Sequence, residues 1–280
     1  MRNALAIAWR EVRAYFSSPL AYVVIGVFLA LSGYIFWAHL WRFSELCLRF
    51  GNSPYYASML NVNDMVIRPL FGTLGIIFLM MIPVLTMRLL AEERKTGTAE
   101  LLFTCPVTSG EVVLGKYLGA AFLLLVMLGV TMIYPLITTS TGGGPDLTPA
   151  YVGYLGVLLM GLSFLAIGLL ISAMTENQII AAVGTFGVLL LLFIIDWMAE
   201  SASVTLASVM NTLSLGLWEK VGLGLGGPTL GGLLARLSIS GHGKDFYKGV
   251  FDTEHFIFYL SAIFLGLFLT QRVVESQKWR

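Results

Sequence analysis

Long runs of apolar residues, separated by short polar segments, dominate this chain. Six runs are about twenty residues long, the length an α-helix needs to cross the hydrocarbon core of a bilayer. They fall at residues 20–40, 69–90, 117–139, 151–173, 178–198 and 255–271. A backbone in lipid must satisfy its own hydrogen bonds, and the alternating ten-residue strands of a barrel do not occur in the pattern. The sequence therefore predicts an all-α integral membrane protein with six transmembrane helices.

The first nineteen residues predict an amphipathic helix that precedes the first span. Its apolar side chains share one face, and Arg10 and Arg13 lie on the other. The apolar face consists of Leu5, Ala8, Trp9, Val12 and Phe16. This pattern is typical of a helix in the membrane interface, although a plain positively charged flank is the alternative. No cleavable signal peptide is predicted, because the apolar run that follows is longer than a signal sequence requires.

The basic residues predict the orientation, because they accumulate on the cytoplasmic side of membrane proteins. With the N-terminus inside, that side carries Arg2, Arg10, Arg13, Arg88, Arg94, Lys95, Lys116, Arg272, Lys278 and Arg280. The outer side carries fewer basic residues, spread over a longer stretch of chain. An even number of spans then makes both termini cytoplasmic.

The outer segment at residues 199–254 is the least regular part of the pattern. Its apolar portions, residues 204–218 and 221–237, are too short or too rich in glycine for spans. Such portions predict short interfacial or re-entrant helices within an outer loop.

Composition agrees with the membrane assignment and excludes several classes of function. Only 12% of the residues are charged, where soluble proteins have about 25%, and the mean hydropathy is +0.84. A net charge of +1 provides no field for binding nucleic acid. Cys47 and Cys105 are predicted on opposite sides of the membrane, so neither a disulfide nor a metal site is expected.

The polar segment at residues 91–116 is predicted to be a cytoplasmic hairpin between the second and third spans. The second helix is expected to continue through Arg88 and Glu92, which share a helical face. A short helix follows at residues 98–104, and Pro106 ends it because proline cannot continue a helix. Thr108 and Glu111 then have the spacing of a capping box for the third helix.

The short helix carries Leu101, Leu102 and Phe103, three apolar residues in a polar loop. Such residues cost free energy if they are left in water. They must therefore be buried either in the inner leaflet or in a partner protein, and the residues alone leave both alternatives open.

The string AEERKTGTAELLFTCPV, at residues 91–107, resembles the cytoplasmic hairpin of ABC-2-type transporter permeases. The similarity is greatest to the branch that includes the gliding-motility-associated permease. A more distant similarity is to the permease of nitrous-oxide-reductase maturation. Further agreement comes from GKYLG at 115–119, TENQ at 175–178 and KGVFDT at 248–253.

The resemblance implies a coupling helix in this hairpin that docks on an ATPase subunit, which favours burial in a partner. The implied coupling residues are Glu92, Glu93, Arg94, Thr96, Gly97, Thr98, Glu100, Leu101, Leu102, Phe103 and Pro106. Their carboxylates are candidates to meet basic residues of the ATPase. Thr175, Glu176 and Asn177 are a candidate second contact, although the Thr-x-x-Gln spacing equally predicts a cap for the fifth helix.

The resemblance further implies an ABC-2, type V exporter-like fold and a permease subunit of the bacterial cytoplasmic membrane, engaged in export or mechanical transduction. Two ABC ATPase subunits would carry ATP and Mg, and this chain would bind no cofactor. A second permease copy or paralogue, a periplasmic or auxiliary membrane protein and membrane lipids are the other expected partners. The alternative function is a non-transporting anchor of an envelope or motility complex.

Motifs for chemistry on the chain itself are missing from the sequence. No G-x-x-x-x-G-K-[ST] loop occurs, and the G-x-G-x-x-G match at residues 222–227 lacks the preceding strand and following acidic residue. His39, His242 and His255 are scattered without ligand spacing. The sequence therefore predicts a non-catalytic subunit.

Overall fold

The computed structural model of the protein describes residues 2–51, 60–95, 107–140, 146–213 and 238–277. Every regular element in those residues is helical. A π-helical turn at Asn63–Ile67 leads directly into the third helix. The helices are α1 Arg2–Ser17, α2 Pro19–Phe50, α3 Arg68–Thr86, α4 Ala91–Lys95, α5 Ser109–Thr131, α6 Ile133–Ser140, α7 Leu147–Met174, α8 Gln178–Leu213, α9 Ile239–Tyr247 and α10 Thr253–Gln277.

Six helical stretches in the described residues are long and apolar enough to cross a membrane. They are Ala21–Phe50, Asn63–Lys95, Ser109–Thr139, Leu147–Met174, Gln178–Ile195 and Thr253–Ser276. The predicted all-α fold with six transmembrane helices is thereby confirmed. Each of the six predicted apolar runs overlaps one of these stretches.

Helix α7 occupies the centre of the bundle and packs against α3, α5, α8, α9 and α10. Small residues permit this close packing, as the sites of Gly153 and Gly168 show. A Cβ atom added at Gly153 would come within 2.0 Å of the Phe71 ring, and one added at Gly168 would come within 2.5 Å of Thr86 Oγ1. Helices α2, α8 and α10 lie outside, and their apolar outward faces suit contact with lipid.

Helices α2 and α8 extend furthest beyond the segments that the sequence predicts as spans. Helix α2 continues to Phe50, beyond the end of the predicted span at residue 40. The i,i+4 pair of Glu45 and Arg49, with 2.8 Å between Oε1 and Nη2, supports the added turns. Helix α8 continues to Leu213, so the first part of the apolar portion at 204–218 belongs to α8 rather than to a separate short helix.

The third stretch is interrupted at Met132, between α5 and α6. Pro135 explains the break, because it has no N–H to donate to the Thr131 carbonyl one turn earlier. The Tyr154 hydroxyl of α7 donates to that carbonyl instead, at 2.6 Å. A partner from another helix thus satisfies the backbone group that proline leaves open.

Helix α1 packs across the start of α5 at glycine positions. A Cβ atom at Gly115 would lie 2.7 Å from Ile7 Cβ, and one at Gly119 would lie 2.7 Å from Glu11 Cβ. Ala4, Ala8 and Val12 are buried, whereas Leu5 and Trp9 face outward. The apolar face predicted for this helix is therefore divided between α5 and the surroundings of the bundle.

Candidate functional site

The candidate site lies at one end of the bundle, the basal end, which we define by α1, α4 and the turn at residues 175–177. The sequence predicts a continuous helix from the second span through Arg88 and Glu92. The helical stretch that begins at Asn63 does run to Lys95, but it is not regular: α3 ends at Thr86, and a turn at residues 87–90 separates it from α4, which begins at Ala91.

The turn before α4 is held by a side chain from the central helix. The buried Ser172 hydroxyl of α7 accepts hydrogen bonds from the backbone N–H groups of Leu90 and Ala91, both at 3.2 Å. Backbone N–H groups at a helix start have no partner within the helix, so Ser172 acts as a cap from a distant element. The beginning of the hairpin is thereby attached to α7.

Arg94 connects the two segments that the sequence proposes as ATPase contacts. Its Nη1 donates to the Ala173 carbonyl at 2.9 Å, and its Nη2 donates to Glu176 Oε1, also at 2.9 Å. The Arg94 side chain is 22% exposed. The guanidinium therefore links α4 to the end of α7 and to the following turn at the same time.

The turn at residues 175–177 caps α8 in a different way from the predicted box. Asn177 Oδ1 accepts from the Ile179 N–H at 2.9 Å, and the Ala181 N–H donates to the Asn177 carbonyl. Thr175 Oγ1 instead accepts from the Asn177 N–H at 3.2 Å. Asn177 is therefore the cap, because its short amide reaches the second N–H of the helix.

A buried lysine joins three elements at the basal end. Lys116 Nζ of α5 lies 3.1 Å from Glu11 Oε1 of α1 and 2.8 Å from Glu93 Oε1 of α4, and its side chain is 2% exposed. Arg10 Nη2 lies 3.3 Å from each of the same carboxylates. Two cations thus balance two anions, which a largely buried cluster requires.

This cluster changes the environment of the predicted coupling residues. Glu93 lies within the cluster, so its carboxylate already has cationic partners in this chain. Glu92 and Arg88 line a cavity of about 320 Å³ next to Tyr15 and Glu11 of α1. Burial raises the pKa of the Tyr15 phenol well above its ordinary value, and its hydroxyl donates to the Leu85 carbonyl at 3.3 Å.

The remaining coupling residues lie outside the described part of the chain. These residues are Thr96, Gly97, Thr98, Glu100, Leu101, Leu102, Phe103 and Pro106. The helix predicted at residues 98–104 is in the same stretch, as is Cys105. The capping box that follows is confirmed, since the Thr108 side chain and the Glu111 side chain each bond the other's backbone N–H.

The opposite end of the bundle, the distal end, contains a polar group that the sequence analysis missed. The ring centroids of His242 and His255 lie 4.9 Å apart, although the two residues are thirteen positions apart in the sequence. Asp245 binds Lys248 Nζ at 2.6 Å and His255 Nε2 at 3.1 Å. The Lys248 hydrogen bond, and after it that of His255, lower the pKa of the Asp245 carboxyl. No group of three metal-ligating side chains occurs among the described residues.

The KGVFDT string forms the turn between α9 and α10 at this end. Gly249 has a φ of +82°, and a Cβ there would lie 2.5 Å from Pro149 Cβ. Only glycine fits such a conformation and such a close approach. Asp252 caps α10, because its Oδ1 accepts from the Glu254 N–H at 2.9 Å.

Comparison with known protein families identifies one match. A family model described as ABC-2 family transporter protein matches residues 5–216, which is more than half of the chain. The match covers α1, the hairpin and the turn at residues 175–177, and does not distinguish branches within the family. A search of curated proteins gives no match.

Proposed function

The chain belongs to the ABC-2 family of transporter proteins, and from this premise we propose that it is the permease subunit of an ABC transporter. Membrane subunits of this family are typically non-catalytic. ATP and Mg therefore belong to a separate ATPase, two copies of which would serve a dimer made from this chain and a second copy or paralogue. An auxiliary or periplasmic protein would complete an exporter or a mechanical transducer.

The proposed orientation places the basal end in the cytoplasm, with both termini on that side of the bacterial inner membrane. The excess of basic residues near the basal ends of the helices supports it. The similarity of residues 248–253 to the gliding-motility-associated branch supports a role in transduction within that branch.

The arrangement of Arg94 supports the proposed coupling most directly. The ATPase would bind the hairpin at Glu100, Leu101, Leu102 and Phe103, and its closure would displace α4. Arg94 would transmit this displacement to α7 and to the turn at 175–177, which is the second proposed contact. Lys116 would transmit it to α5 and α1. The ATPase thus acts on one connected unit instead of a flexible loop.

A paired substitution tests the proposed docking. Glu100→Arg with Leu102→Asp reverses one charge and removes one apolar anchor, so we expect the ATPase to be lost from a pull-down with the tagged chain. The matched control, Glu254→Arg with Val250→Asp, makes the same kinds of change at exposed positions of the distal end and should retain it. Undiminished ATPase recovery with the hairpin variant would refute the docking proposal.

A further inference from the structure

A large apolar cavity lies between the distal part of α2, residues 60–62 and α6. Its volume is about 750 Å³, within the range of small-molecule sites. Its walls include Trp37, Trp41, Phe43, Leu48, Leu60 and Val62. Two hydroxyl groups also reach the wall, but Ser44 Oγ donates to the Trp41 carbonyl at 2.8 Å and Thr138 Oγ1 to the Pro135 carbonyl at 2.7 Å. The lining therefore favours a hydrocarbon over a polar ligand.

Aromatic residues on α2 place this cavity at a membrane boundary. Tyr34, Trp37 and Trp41 form a ladder of outward-facing rings, with centroids 6.4 and 5.9 Å apart. Tyr22 is the corresponding exposed aromatic near the other end of the helix. At 1.5 Å per residue, Tyr22 and Trp41 are about 28 Å apart, close to the thickness of the hydrocarbon core, and such rings prefer its two interfaces.

The cavity extends past this boundary. Trp37 lies on the membrane side, whereas Phe43 and Leu48 lie up to two turns beyond Trp41. The charged residues of the same helical segment, Glu45 and Arg49, project from a different arc of α2. An apolar surface thus continues from the hydrocarbon core into the headgroup region and beyond.

We propose that this cavity binds an acyl chain of a membrane phospholipid, drawn outward past the bilayer boundary along α2. Because the cavity is continuous with the hydrocarbon core at Trp37, the acyl chains of neighbouring lipids have direct access to it. Binding needs no ATPase, so this proposal is independent of the proposed function.

Photochemical labelling can test the site, because bulk acyl chains end at the boundary. The protein would be placed in nanodiscs containing phosphatidylglycerol with a diazirine halfway along one acyl chain. After irradiation, we expect adducts on Phe43, Cys47 and Leu48 by peptide mass spectrometry. An excess of unlabelled oleate should remove these adducts and leave those on the lipid-facing Phe264 of α10.

Ser44→Trp fills the cavity from an exposed position of α2, and we expect it to abolish the adducts at residues 43–48. Ser261→Trp is the matched control, because Ser261 is also exposed and its hydroxyl also donates to a carbonyl three residues earlier, at 2.7 Å. Adducts on Phe264 alone, or adducts that persist in Ser44→Trp, would overturn the proposal. Efficient Cys47–Cys47 cross-linking between two copies would overturn it as well, since a second chain would then occupy the cavity.

Discussion

Lys116 is the residue on which the packing of the basal end depends most. Its ammonium group is almost completely buried and contacts both Glu11 of α1 and Glu93 of α4, which the more exposed Arg10 also contacts at longer distances. Burying a charge is costly unless its partners compensate, so the three side chains are stable only as a set. The same set would be the point at which α5 follows any movement of the hairpin.

Replacing Lys116 by methionine should therefore lower the free energy of unfolding by about 3 kcal/mol, because two carboxylates lose their buried partner. The midpoint of thermal unfolding in detergent would report the loss. Lys248→Met is the control, since Lys248 forms an exposed i,i+3 pair and such pairs contribute little. Equal stability of the two variants would contradict the role assigned to Lys116.

Individual residue roles were predictable from the sequence only where they are local. The capping box of Thr108 and Glu111 could be found because both members lie three residues apart. The Thr-x-x-Gln spacing favours Thr175 as the cap of α8, whereas the structure shows that Asn177 is the cap. The contact of Arg94 with Glu176 joins positions 82 residues apart, and no spacing rule reaches that far.

At the scale of elements, the contact of α1 with α5 shows how an amphipathic N-terminal helix becomes part of the bundle. Gly115 and Gly119 remove the side chains that would otherwise separate the two backbones. Leu5 and Trp9 remain outside, where an interfacial helix can use them. Helix α1 therefore contacts the bundle and its surroundings at the same time.

Gly115→Leu should detach α1, because overpacking of this kind costs about 1–3 kcal/mol. We expect maleimide labelling of a cysteine introduced at Ala8 to accelerate by about tenfold, the factor that corresponds to about 1.4 kcal/mol. Gly129→Leu, also on α5, is the control, since a Cβ there meets nothing within 4 Å. Unchanged labelling in Gly115→Leu would show that α1 does not depend on this contact.

The link from α4 to α7 predicts an effect on coupling that is separate from docking. Arg94→Gln should preserve ATPase binding but reduce stimulation of ATP hydrolysis by the permease by about tenfold or more, because it removes the bonds to Ala173 and Glu176, and one charge-assisted hydrogen bond alone contributes about 1.5 kcal/mol. Arg272→Gln is a suitable control, because Arg272 pairs with Glu275 within α10 at 3.1 Å. If the Arg94→Gln variant still stimulated ATP hydrolysis fully, transmission of movement from α4 to α7 through Arg94 would be excluded.

The six apolar helices could be predicted from hydrophobicity because each needs only its own residues and the bilayer. The way two interruptions are stabilised could not, since partners from other helices provide it. The Ser172 hydroxyl accepts from the backbone N–H groups where the helix begins again at Ala91, and the Tyr154 hydroxyl donates to the Thr131 carbonyl beside the break at Met132. Neither partner is close to the affected turn in sequence.

In the whole molecule, the basal end would act as one mechanical unit. The hairpin would receive the force from the ATPase, and Ser172, Arg94 and Lys116 would distribute it to α7, α8, α5 and α1. Because α7 packs against most of the bundle, a displacement at its basal end would reach the remaining spans. Such a chain of contacts requires an ATPase partner bound at the cytoplasmic hairpin.

The most direct test is affinity purification of the tagged chain from native membranes in mild detergent, followed by mass spectrometry. We expect a stoichiometric ABC ATPase in the purified complex, together with a second copy or a paralogue of the permease. Cross-linking from Glu100 should join the hairpin to that ATPase. If no ATPase is recovered even after cross-linking at Glu100, the hairpin does not couple to one, and the proposed permease function is contradicted.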